Sequence, residues 1–589
     1  MESIFVILAL IGGLALFLYG MDLMGDGLKK LAGGKLESIL AKLTSSRWKG
    51  LLLGLGVTAV IQSSSATTVM LVGFVNSGIM KLGQTISVIM GANIGTTVTA
   101  WLLTTTDIPD AAGFVLKLLK PDSFTPVLAL IGFLMITTAK NDRRKNAGSI
   151  LVGFAILMFG MDAMSGAVEG LRDEFNSILM MFANPIIGIL VGTVFTAIIQ
   201  SSSAAVGVLI ALAIATDMPY SIALPLLLGM NIGTTITPII SAISGNVNAK
   251  RVAFSCLYIK MIGVTVVTVA FYIIHAIVPF GFMGENVYAT AVGIAFAHTL
   301  FNIISTVILI PFCKPLEKLA VITIKGKTED EEEADTFAVL DDRFLEMPSF
   351  AVEKSKELVC EMAAVSTKAF KIATKLLANY DDEGFNVVKK LEGKVDKYED
   401  KISTYLVKIA EKDIAAKDSR VVTELLHCIG DLERISDHAL NIAEVAQEIN
   451  EKKIDFSESA KADIKVITAA VNEVLEIATA ALVDENIEIA KKVEPLEQVI
   501  DRLKRKIKNG HIDRLRQGDC TMELGFILSD LLTNYERIAD HCSNIAVCFI
   551  EMSHDSFETH EYLNNLKSND EENGFKEMYE EYKAKYYMQ

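Results

Sequence analysis

Two kinds of hydrophobic pattern divide the chain. Up to about residue 320 the apolar residues form long, nearly continuous runs, whereas from Pro348 to about Glu551 they recur with the period of amphipathic helices. A membrane-spanning helix needs roughly 20 apolar residues, and most of the early runs approach or exceed that length. The pattern therefore predicts an all-α protein with a polytopic membrane domain, residues 1–320, before a helical soluble region. The apolar runs lie at residues 3–20, 50–77, 82–103, 124–139, 149–165, 183–216, 219–243, 252–276 and 288–312.

The same polar tetrapeptide, QSSS, interrupts two of these runs, at residues 62–65 and 200–203. Unpaired polar groups in hydrocarbon cost on the order of several kcal/mol each, so such a cluster is tolerated only where it lines a cavity or a protein interior. Serine hydroxyls also compete for backbone partners and help to break a helix. The run 183–216 is too long for one spanning helix, and the run 50–77 is similar. We therefore predict that both fold as re-entrant helical hairpins.

The two tetrapeptides belong to an internal repeat with an offset of 138 residues. QSSSA recurs in full, and GANIGTT at residues 91–97 corresponds to GMNIGTT at 229–235. Basic clusters placed in the cytoplasm send the two copies, about residues 3–139 and 149–312, through the membrane in opposite senses. This orientation puts the N-terminus outside and the C-terminal half inside. Inverted repeats with broken helices are typical of secondary transporters, which bind their substrate midway through the membrane.

The polar residues at the breaks suit both an anion and a small cation. A broken helix presents free N–H groups and a positive dipole end to an anion, while glutamine, asparagine and threonine oxygens suit sodium. Small polar residues also line ordinary helix contacts, but two symmetric copies, each followed by NIGTT, favour a binding site. The predicted substrate-binding residues are Gln62, Ser63, Ser64, Ser65, Gln200, Ser201, Ser202 and Ser203. The predicted sodium ligands are Gln62, Asn93, Thr96, Thr97, Gln200, Asn231, Thr234 and Thr235.

Three charged residues stand out in the membrane half. Lys260 lies deep in an apolar run, where AFSCLYIK aligns with AFAHTLFN and the lysine takes the place of Asn302. A charge at that depth is costly and marks a candidate functional site; the alternatives are a snorkelling lysine or an ion pair with Asp162 or Asp22. These two aspartates end the equivalent sequences FGMD and YGMD. We interpret them as interfacial charges at helix ends, with a cation-ligand or gating role as the alternative.

Charge separates the two halves of the chain. The first 320 residues carry 19 basic and 15 acidic residues, whereas the remaining 269 carry 36 and 56. Residues 321–347 include the acidic run TEDEEEAD, which we interpret as a solvated linker. The acidic balance, with no basic patch, argues against nucleic acid as a partner. Seven scattered cysteines without a CxxC pair argue against a disulfide framework or a zinc site.

The soluble region is predicted to contain six long helices and a charged tail. Repeated motifs group the helices into two three-helix bundles, residues 348–452 and 453–552, and the tail occupies residues 553–589. The breaks between helices are predicted near Tyr380, Lys417, Asp455, Glu485 and Gln517.

Each predicted bundle carries two ExxxD motifs. DLERISDH matches NYERIADH, and EGKVD matches EQVID, with offsets of 103 and 105 residues. This spacing puts both carboxylates on one helix face, and for Glu433 and Asp437 that face is the apolar one. Buried carboxylates are paired or bound to metal, which leaves a metal site on facing helices or an ion-pair network with Arg434 and Arg537. The candidate metal ligands are Glu392, Asp396, Glu433, Asp437, Glu497, Asp501, Glu536 and Asp540.

No nucleophile–base arrangement and no P-loop is recognisable in the sequence. We therefore expect a protein that is not an enzyme, and a transport activity driven by an ion gradient.

The paired QSSS and NIGTT motifs and AHTLFN resemble the type II sodium/phosphate cotransporter family over roughly residues 1–315. The remainder resembles two PhoU-like domains through its ExxxD motifs. The resemblance implies inorganic phosphate as substrate, sodium coupling, binding at the QSSS pair, and a metal, often iron, held by the PhoU-like carboxylates. Lys260 departs from the pattern: if its segment lines a cation site, a fixed ammonium replaces one sodium.

Together these predictions describe sodium-coupled phosphate transport across the inner membrane of a bacterium, by a multi-pass protein with a cytoplasmic, PhoU-like regulatory region. The alternatives are a membrane-anchored regulator of phosphate signalling, a transporter of another oxyanion and a phosphate exporter. The expected partners are phosphate, sodium and membrane lipid. Phosphate-signalling proteins and a second copy of the chain, as a homodimer, are further candidates.

Overall fold

The computed structural model describes residues 2–32, 46–107, 121–169, 182, 184–284, 287–326, 336–412, 414–553 and 574–587. Within these ranges the regular structure is helical, apart from an isolated bridge between Pro219 and Tyr288, and the predicted all-α class is confirmed. The chain divides into two compact units, Met1–Phe350 and Ala351–Gln589. The acidic run 328–335 and most of the charged tail lie outside the described residues.

The membrane unit is a succession of apolar helices, several of them short. Its helices are α1 (Glu2–Ala32), α2 (Arg47–Ile61), α3 (Ser64–Asn76), α4 (Leu82–Gly95), α5 (Thr97–Leu103), α6 (Pro121–Thr138), α7 (Asp142–Glu169), α8 (Pro185–Ile199), α9 (Ser202–Thr216), α10 (Tyr220–Gly233), α11 (Ile236–Ala242), α12 (Val247–Ile277), α13 (Ala291–Leu309) and α14 (Cys313–Thr323).

Seven helical stretches among the described residues are long and apolar enough to cross a membrane. Six belong to the membrane unit: Phe5–Leu31, Leu82–Leu103, Asp142–Val168, Tyr220–Ala242, Val247–Ile277 and Ala291–Thr323. The seventh, Glu458–Asp484, lies in the C-terminal unit, where it buries Ile467, Val471 and Leu475 in a helical bundle. The first six, with large apolar side chains exposed on their outer faces, identify a membrane protein.

Both QSSS runs separate two short helices, and the prediction of helical hairpins is confirmed. The arms of the first hairpin are α2 and α3, and a hydrogen bond of 3.0 Å joins the hydroxyls of Thr58 and Thr67 across the break. Residues nine apart on a straight helix would be separated by about 13 Å, so the chain folds back on itself here. In the second repeat α8 and α9 flank the break in the same way. Arms of 13–15 residues are too short to span a bilayer alone.

The helices that begin the two repeats, α1 and α7, pack closely through glycines. A β-carbon at Gly20 would lie 2.6 Å from the carbonyl oxygen of Gly153, and one at Gly13 would lie 3.0 Å from that of Gly160. Residue numbers rise along α1 as they fall along α7, so these equivalent helices run in opposite directions. This antiparallel packing confirms the inverted repeat.

A second glycine contact holds each hairpin against its neighbour. α2 packs on α4 and α8 packs on α10, and at four glycines a β-carbon would lie 2.0–2.2 Å from a carbonyl oxygen of the partner helix. Any larger residue would separate the helices, so the QSSS break and the NIGTT motif stay close together in each repeat. The four glycines are Gly54, Gly91, Gly192 and Gly229, which the 138-residue offset pairs.

The interpretation of Asp22 and Asp162 as helix-end charges is wrong. α1 continues past Asp22 to Ala32, and α7 continues past Asp162 to Glu169. Both residues are exposed, and a charge on an exposed face leaves the backbone hydrogen bonds of a helix intact. Each aspartate therefore lies within its helix, on a face turned away from the packed interior.

Residues 336–350, here called the docked segment, belong to the membrane unit. Asp341 accepts a hydrogen bond of 2.7 Å from Asn76 at the end of α3 and forms an ion pair of 2.6 Å with Arg343. Arg343 in turn donates to the carbonyl oxygen of Ser241 in α11 at 3.0 Å. The docked segment thus links the hairpin of the first repeat to the short helix of the second.

The six predicted long helices lie in the C-terminal unit, apart from residues 348–350 at the start of the first, and their ends are close to the predicted breaks. They are α15 (Pro348–Leu376), α16 (Asp382–Ala410), α17 (Ala416–Lys452), α18 (Glu458–Asp484), α20 (Val493–Gln517) and α21 (Met522–Ser553). The short α19 (Ile487–Ala490) and the terminal α22 (Phe575–Lys585) are additional.

The repeat in this unit is visible where α17 and α21 pack together. His438 stacks on His541 with ring centroids 5.8 Å apart. Nδ1 of His541 lies 2.8 Å from Asp431, and Nδ1 of His438 lies 2.8 Å from Asn534. The 103-residue offset relates His438 to His541 and Asp431 to Asn534, so each histidine contacts the same position of the other half. The contact is therefore reciprocal, as expected for two related halves.

Candidate functional site

The two QSSS breaks share one backbone geometry. Gln62 ends α2 with φ 61° and Gln200 ends α8 with φ 60°, in the left-handed region that costs a non-glycine residue roughly 1 kcal/mol. Ser63 and Ser201 then cap the following helices, each accepting a backbone N–H three residues further on, at 3.1 and 3.3 Å. The polar run is therefore a defined turn in which one helix ends and the next begins.

Thr99 joins the two breaks. Its hydroxyl donates to Oε1 of Gln62 at 2.5 Å, and Oγ of Ser203 donates to the Thr99 hydroxyl at 3.3 Å. All three side chains are buried. Gln62 precedes α3 in the first repeat and Ser203 lies in the first turn of α9 in the second. The N-terminal ends of α3 and α9 therefore converge, and the residues predicted to form one site come together.

The two halves of this arrangement differ. Gln62 is buried, with 7% of its surface exposed, whereas its repeat equivalent Gln200 is exposed. Thr237 is the equivalent of Thr99, and its buried hydroxyl has no hydrogen-bond partner among the described residues. The chain through Thr99 thus has no counterpart through Thr237. The inverted repeats adopt unequal states at the point where they meet.

The NIGTT motifs lie at junctions between two helices. α4 gives way to α5 at Thr96, and α10 gives way to α11 at Thr234 and Thr235. Each threonine hydroxyl donates to a carbonyl in the last turn of the preceding helix, at 2.7–3.0 Å, which promotes local bending. Their lone pairs remain available to a cation. The remaining predicted ligands, Asn93 and Asn231, lie one turn earlier on α4 and α10.

Lys260 on α12 is buried, with 7% of its surface exposed. Its ammonium donates a hydrogen bond to Oγ1 of Thr234, the first threonine of the second NIGTT motif. No described carboxylate forms an ion pair with it, and Asp22 and Asp162 are exposed on other helices. The structure therefore excludes both the snorkelling and the ion-pair alternatives for Lys260 within the described part of the chain.

In the first bundle three predicted ligands come together. Oxygen atoms of Glu392, Asp396 and Asp437 lie within 4.8 Å of one another, and Glu433 shares a hydrogen bond with Asp437. Burial and the neighbouring Asp437 raise the pKa of Glu433 to about 7. Glu433 and Asp437 are only partly buried, at 24% and 32% exposure, because their helix face meets the edge of the core. Arg434 lies 3.4–3.7 Å from both and is itself 62% exposed, which makes it a weak counter-charge.

In the second bundle the equivalent residues line an open cavity of about 570 Å³. Burial and the charge of Glu536 raise the pKa values of Asp501 and Asp540. Lys504 forms an ion pair with Glu536, so this cluster is partly neutralised, unlike the first. The cavity is lined by the candidate ligands Glu497, Asp501 and Asp540. Arg505, Arg537 and Tyr579 also line it.

Sequence reasoning named most of the groups now seen together but missed the linking role of Thr99. The signal was present in the 138-residue offset, which pairs Thr99 with Thr237 just after the two NIGTT motifs. Tyr579 in the second cavity was missed as well, because α22 lies in a region that reads only as a charged tail.

Family models match the two units of the chain separately. The family model described as Na+/Pi-cotransporter matches residues 16–166 and 168–287, and the PhoU domain model matches residues 359–446 and 464–548. Each model matches twice, in agreement with the two internal repeats.

Relatives match the whole chain or one of its parts. A protein of Salmonella typhimurium named "Putative inorganic phosphate export protein YjbB" is 24% identical over 94% of this chain and 99% of its own length. The "Phosphate-specific transport system accessory protein PhoU homolog 1" of Thermotoga maritima is 32% identical over 24% of this chain and 62% of its own length. The "Sodium-dependent phosphate transport protein 2A" of Rattus norvegicus is 35% identical over 18% of this chain and 17% of its own length. The membrane unit therefore belongs to the Na+/Pi-cotransporter family, a family of phosphate transporters, and the C-terminal unit carries two PhoU domains.

Proposed function

We propose that the protein transports inorganic phosphate across the bacterial inner membrane and that a sodium gradient drives this transport. We further propose that it binds phosphate at the two QSSS breaks. The observation that carries the proposal is the hydrogen-bonded chain Gln62–Thr99–Ser203, which brings the breaks of opposite repeats to one point. Two helix N-termini meet there, and each offers unpaired N–H groups and a positive dipole end.

Phosphate binding at this point needs no fixed charge from the QSSS residues. The hydroxyls of Ser64, Ser65 and Ser202 lie in the first turns of α3 and α9 and can donate to an oxyanion. The hydroxyl hydrogen of Ser203 is already donated to Thr99. Backbone N–H groups of the same turns add further donors. Such a neutral set holds an anion without the tight ion pair that would hinder its release.

Sodium coupling is proposed from the neutral oxygens beside the breaks. The NIGTT threonines and the backbone carbonyls at the helix junctions are hard oxygen ligands without competing charge. The rat relative named as sodium-dependent, which is similar over 18% of this chain, supports this choice.

A second candidate is phosphate export, which the name of the Salmonella relative favours because that protein aligns with nearly the whole chain. Import and export are opposite directions of one coupled cycle, so the same site serves both. The other candidates, a membrane-anchored phosphate regulator and a carrier of another oxyanion, lack an observation of this kind.

The PhoU domains are proposed to regulate transport from the cytoplasm. The docked segment precedes them in the chain and connects the end of α3 to α11, which belong to opposite repeats. A displacement of this segment would therefore change the position of one repeat relative to the other. Phosphate-signalling proteins are the partners this arrangement would suit.

The PhoU carboxylates fit a metal. Three carboxylate oxygens within 4.8 Å of one another in the first bundle form a hard oxygen donor set with little positive charge nearby. Glu392, Asp396 and Asp437, with Glu433, would hold iron or another divalent metal, whose charge would neutralise the cluster.

Phosphate binding to the purified protein in nanodiscs tests the site. Labelled phosphate should bind the wild type in sodium chloride and bind less well in choline chloride. The double variant Ser64→Ala, Ser202→Ala should lose at least tenfold in affinity, whereas Ser149→Ala, at a partly exposed serine of α7, should match the wild type. Equal affinity of the double variant and the wild type would reject the site.

A further inference from the structure

Lys260 places a positive charge between the two repeats. One helical turn earlier on α12, Cys256 lies beside Thr68, whose hydroxyl donates to the carbonyl oxygen of Ser64 at 2.8 Å. Lys260 itself donates to Thr234 of the second NIGTT motif. The same short stretch of α12 therefore contacts the first QSSS helix and the second NIGTT junction.

The groups around the ammonium are neutral oxygen, sulfur and nitrogen atoms. Thr234 donates its own hydroxyl hydrogen to the Asn231 carbonyl at 2.9 Å, so its lone pairs face the ammonium. His298 of α13 lies within electrostatic range of Lys260, and its buried Nδ1 has no partner among the described residues. An unpaired charge in such a place is expensive unless it has a function.

We propose that the Lys260 ammonium occupies a cation position of the transport site and does, as a fixed charge, what a bound sodium ion would do if this residue were neutral. The proposal rests on the sodium-coupled function proposed above. An ammonium and a sodium ion carry the same charge and take the same oxygen lone pairs. The aligned position in α13 holds Asn302, a neutral residue whose amide nitrogen donates to the His298 carbonyl at 2.8 Å.

The alternative role of a buried lysine is to anchor the phosphate. The hydrogen bond to Thr234 argues against that role, because it directs the ammonium to a hydroxyl oxygen of the NIGTT junction and not to the N-terminal turns of α3 and α9. The two roles also have different consequences. If Lys260 anchors phosphate, its replacement lowers the affinity for phosphate and leaves the number of bound sodium ions unchanged. If Lys260 substitutes for sodium, its replacement changes the number of bound sodium ions.

A fixed ammonium changes the energetics of the cycle. Each sodium ion that enters with phosphate adds its electrochemical gradient to the inward driving force, and a lysine that never leaves adds none. The chain would therefore couple phosphate to one sodium fewer than an otherwise equal protein with asparagine at this position. A weaker inward drive makes outward movement of phosphate easier when its internal concentration is high.

Sodium binding decides the proposal without relying on transport. Equilibrium binding of 22Na+ to the full chain in nanodiscs, at saturating phosphate, should show one more ion per chain in Lys260→Asn than in the wild type. Lys260→Gln should behave similarly. The control Lys250→Asn removes a positive charge from the start of the same helix and should leave the count unchanged.

Thermal unfolding covers the case of an unstable variant. Sodium chloride, compared with choline chloride, should raise the unfolding temperature of Lys260→Asn or Lys260→Gln more than that of the wild type. An unchanged ion count would overturn the proposal, and weakened phosphate binding beside it would identify an anchor instead. Failure of both variants to fold in either salt would also overturn it, because it would assign Lys260 a structural role. Absence of sodium-driven flux in the wild type would refute the proposed function but would leave a gain of one bound ion in Lys260→Asn as support for this inference.

Discussion

Ser203 of the second repeat donates a hydrogen bond of 3.3 Å to Thr99 of the first, 104 positions earlier in the chain. This contact joins two helix breaks that the sequence duplicates and that the fold brings through the membrane in opposite directions. Because Thr99 also donates to Gln62, one hydroxyl holds both breaks.

Thr99→Val should therefore weaken both transport and stability. Valine keeps the shape but leaves the buried Gln62 and Ser203 without this partner, at a cost of about 1–3 kcal/mol. Phosphate flux should fall roughly tenfold to a hundredfold by that measure. Thr105→Val is the matched control, because Thr105 is partly exposed and its hydroxyl donates locally, to the Leu102 carbonyl at 3.1 Å. Equal flux in the two variants would show that the Thr99 link is incidental.

Thr237→Val should separate binding from turnover. The Thr237 hydroxyl is buried without a described partner, so its removal should leave thermal stability unchanged or raise it by about 1 kcal/mol. During transport the two repeats are expected to swap their conformations, so that Thr237 forms the link that Thr99 forms here. The variant should then bind phosphate normally in the conformation described here but transport it slowly across the membrane. Binding and flux measured on the same sample test this, and wild-type flux would contradict it.

The contact of α1 with α7 predicts a stability effect. Gly20→Leu would place side-chain atoms where Gly153 already leaves no room, since even a β-carbon would approach its oxygen to 2.6 Å. Overpacking of this kind costs about 1–3 kcal/mol or more. The variant should unfold at a lower temperature in detergent than Gly12→Leu, because a β-carbon at Gly12 meets nothing within 4 Å. Similar melting of the two variants would speak against the inverted contact.

The first carboxylate cluster should bind metal more strongly than the second. Lys504 neutralises Glu536 in the second bundle, while the equivalent position in the first holds Glu399. Elemental analysis of the full chain should show metal that Asp396→Asn reduces by at least half. Asp400→Asn removes one exposed carboxylate from the same helix and should retain it. Metal that is retained in Asp396→Asn and lost in Asp501→Asn would show that the second cluster, and not the first, is the stronger metal site.

Glu433 predicts the pH dependence of the metal-free protein. Its pKa, raised to about 7 by burial and by Asp437, means that the folded state favours the protonated form. The stability it contributes is full below the ordinary carboxyl pKa and is lost as the pH rises through 7. Hydrogen exchange of α17 should thus accelerate between pH 5 and pH 8 beyond its intrinsic pH dependence, and Glu433→Gln should flatten the excess.

Glu424, on the same helix, has a pKa raised to about 7 by burial and provides the control. Glu424→Gln should remove only its own share of the excess and leave the part that Glu433 causes. Bound metal favours the ionised carboxylates, so its addition should reverse the effect near Glu433. An excess that survives in Glu433→Gln would assign the effect elsewhere.

The sequence was sufficient for the architecture because the signals there are local and repeated. Apolar length predicts spans, QSSS predicts a break wherever it occurs, and an offset of 138 residues implies two related halves. The ends of α1 and α7 lie beyond Asp22 and Asp162, and the sequence does not show this because an exposed charge does not end a helix.

The site was only partly readable for a different reason. The chain Gln62–Thr99–Ser203 joins three residues from separate segments, and no local pattern specifies which hydroxyls meet. Likewise, Gln62 is buried and Gln200 is exposed although both begin the same tetrapeptide, so the tetrapeptide alone does not determine the exposure.

Phosphate uptake into proteoliposomes tests the central claim most directly. Labelled phosphate should accumulate when an inward sodium gradient is imposed and should fall to the level of protein-free vesicles when choline replaces sodium. The double variant Ser64→Ala, Ser202→Ala should lose at least tenfold of that uptake, with Ser149→Ala at the wild-type rate. Uptake that is equal with and without the sodium gradient, or that is intact in the double variant, would contradict the account.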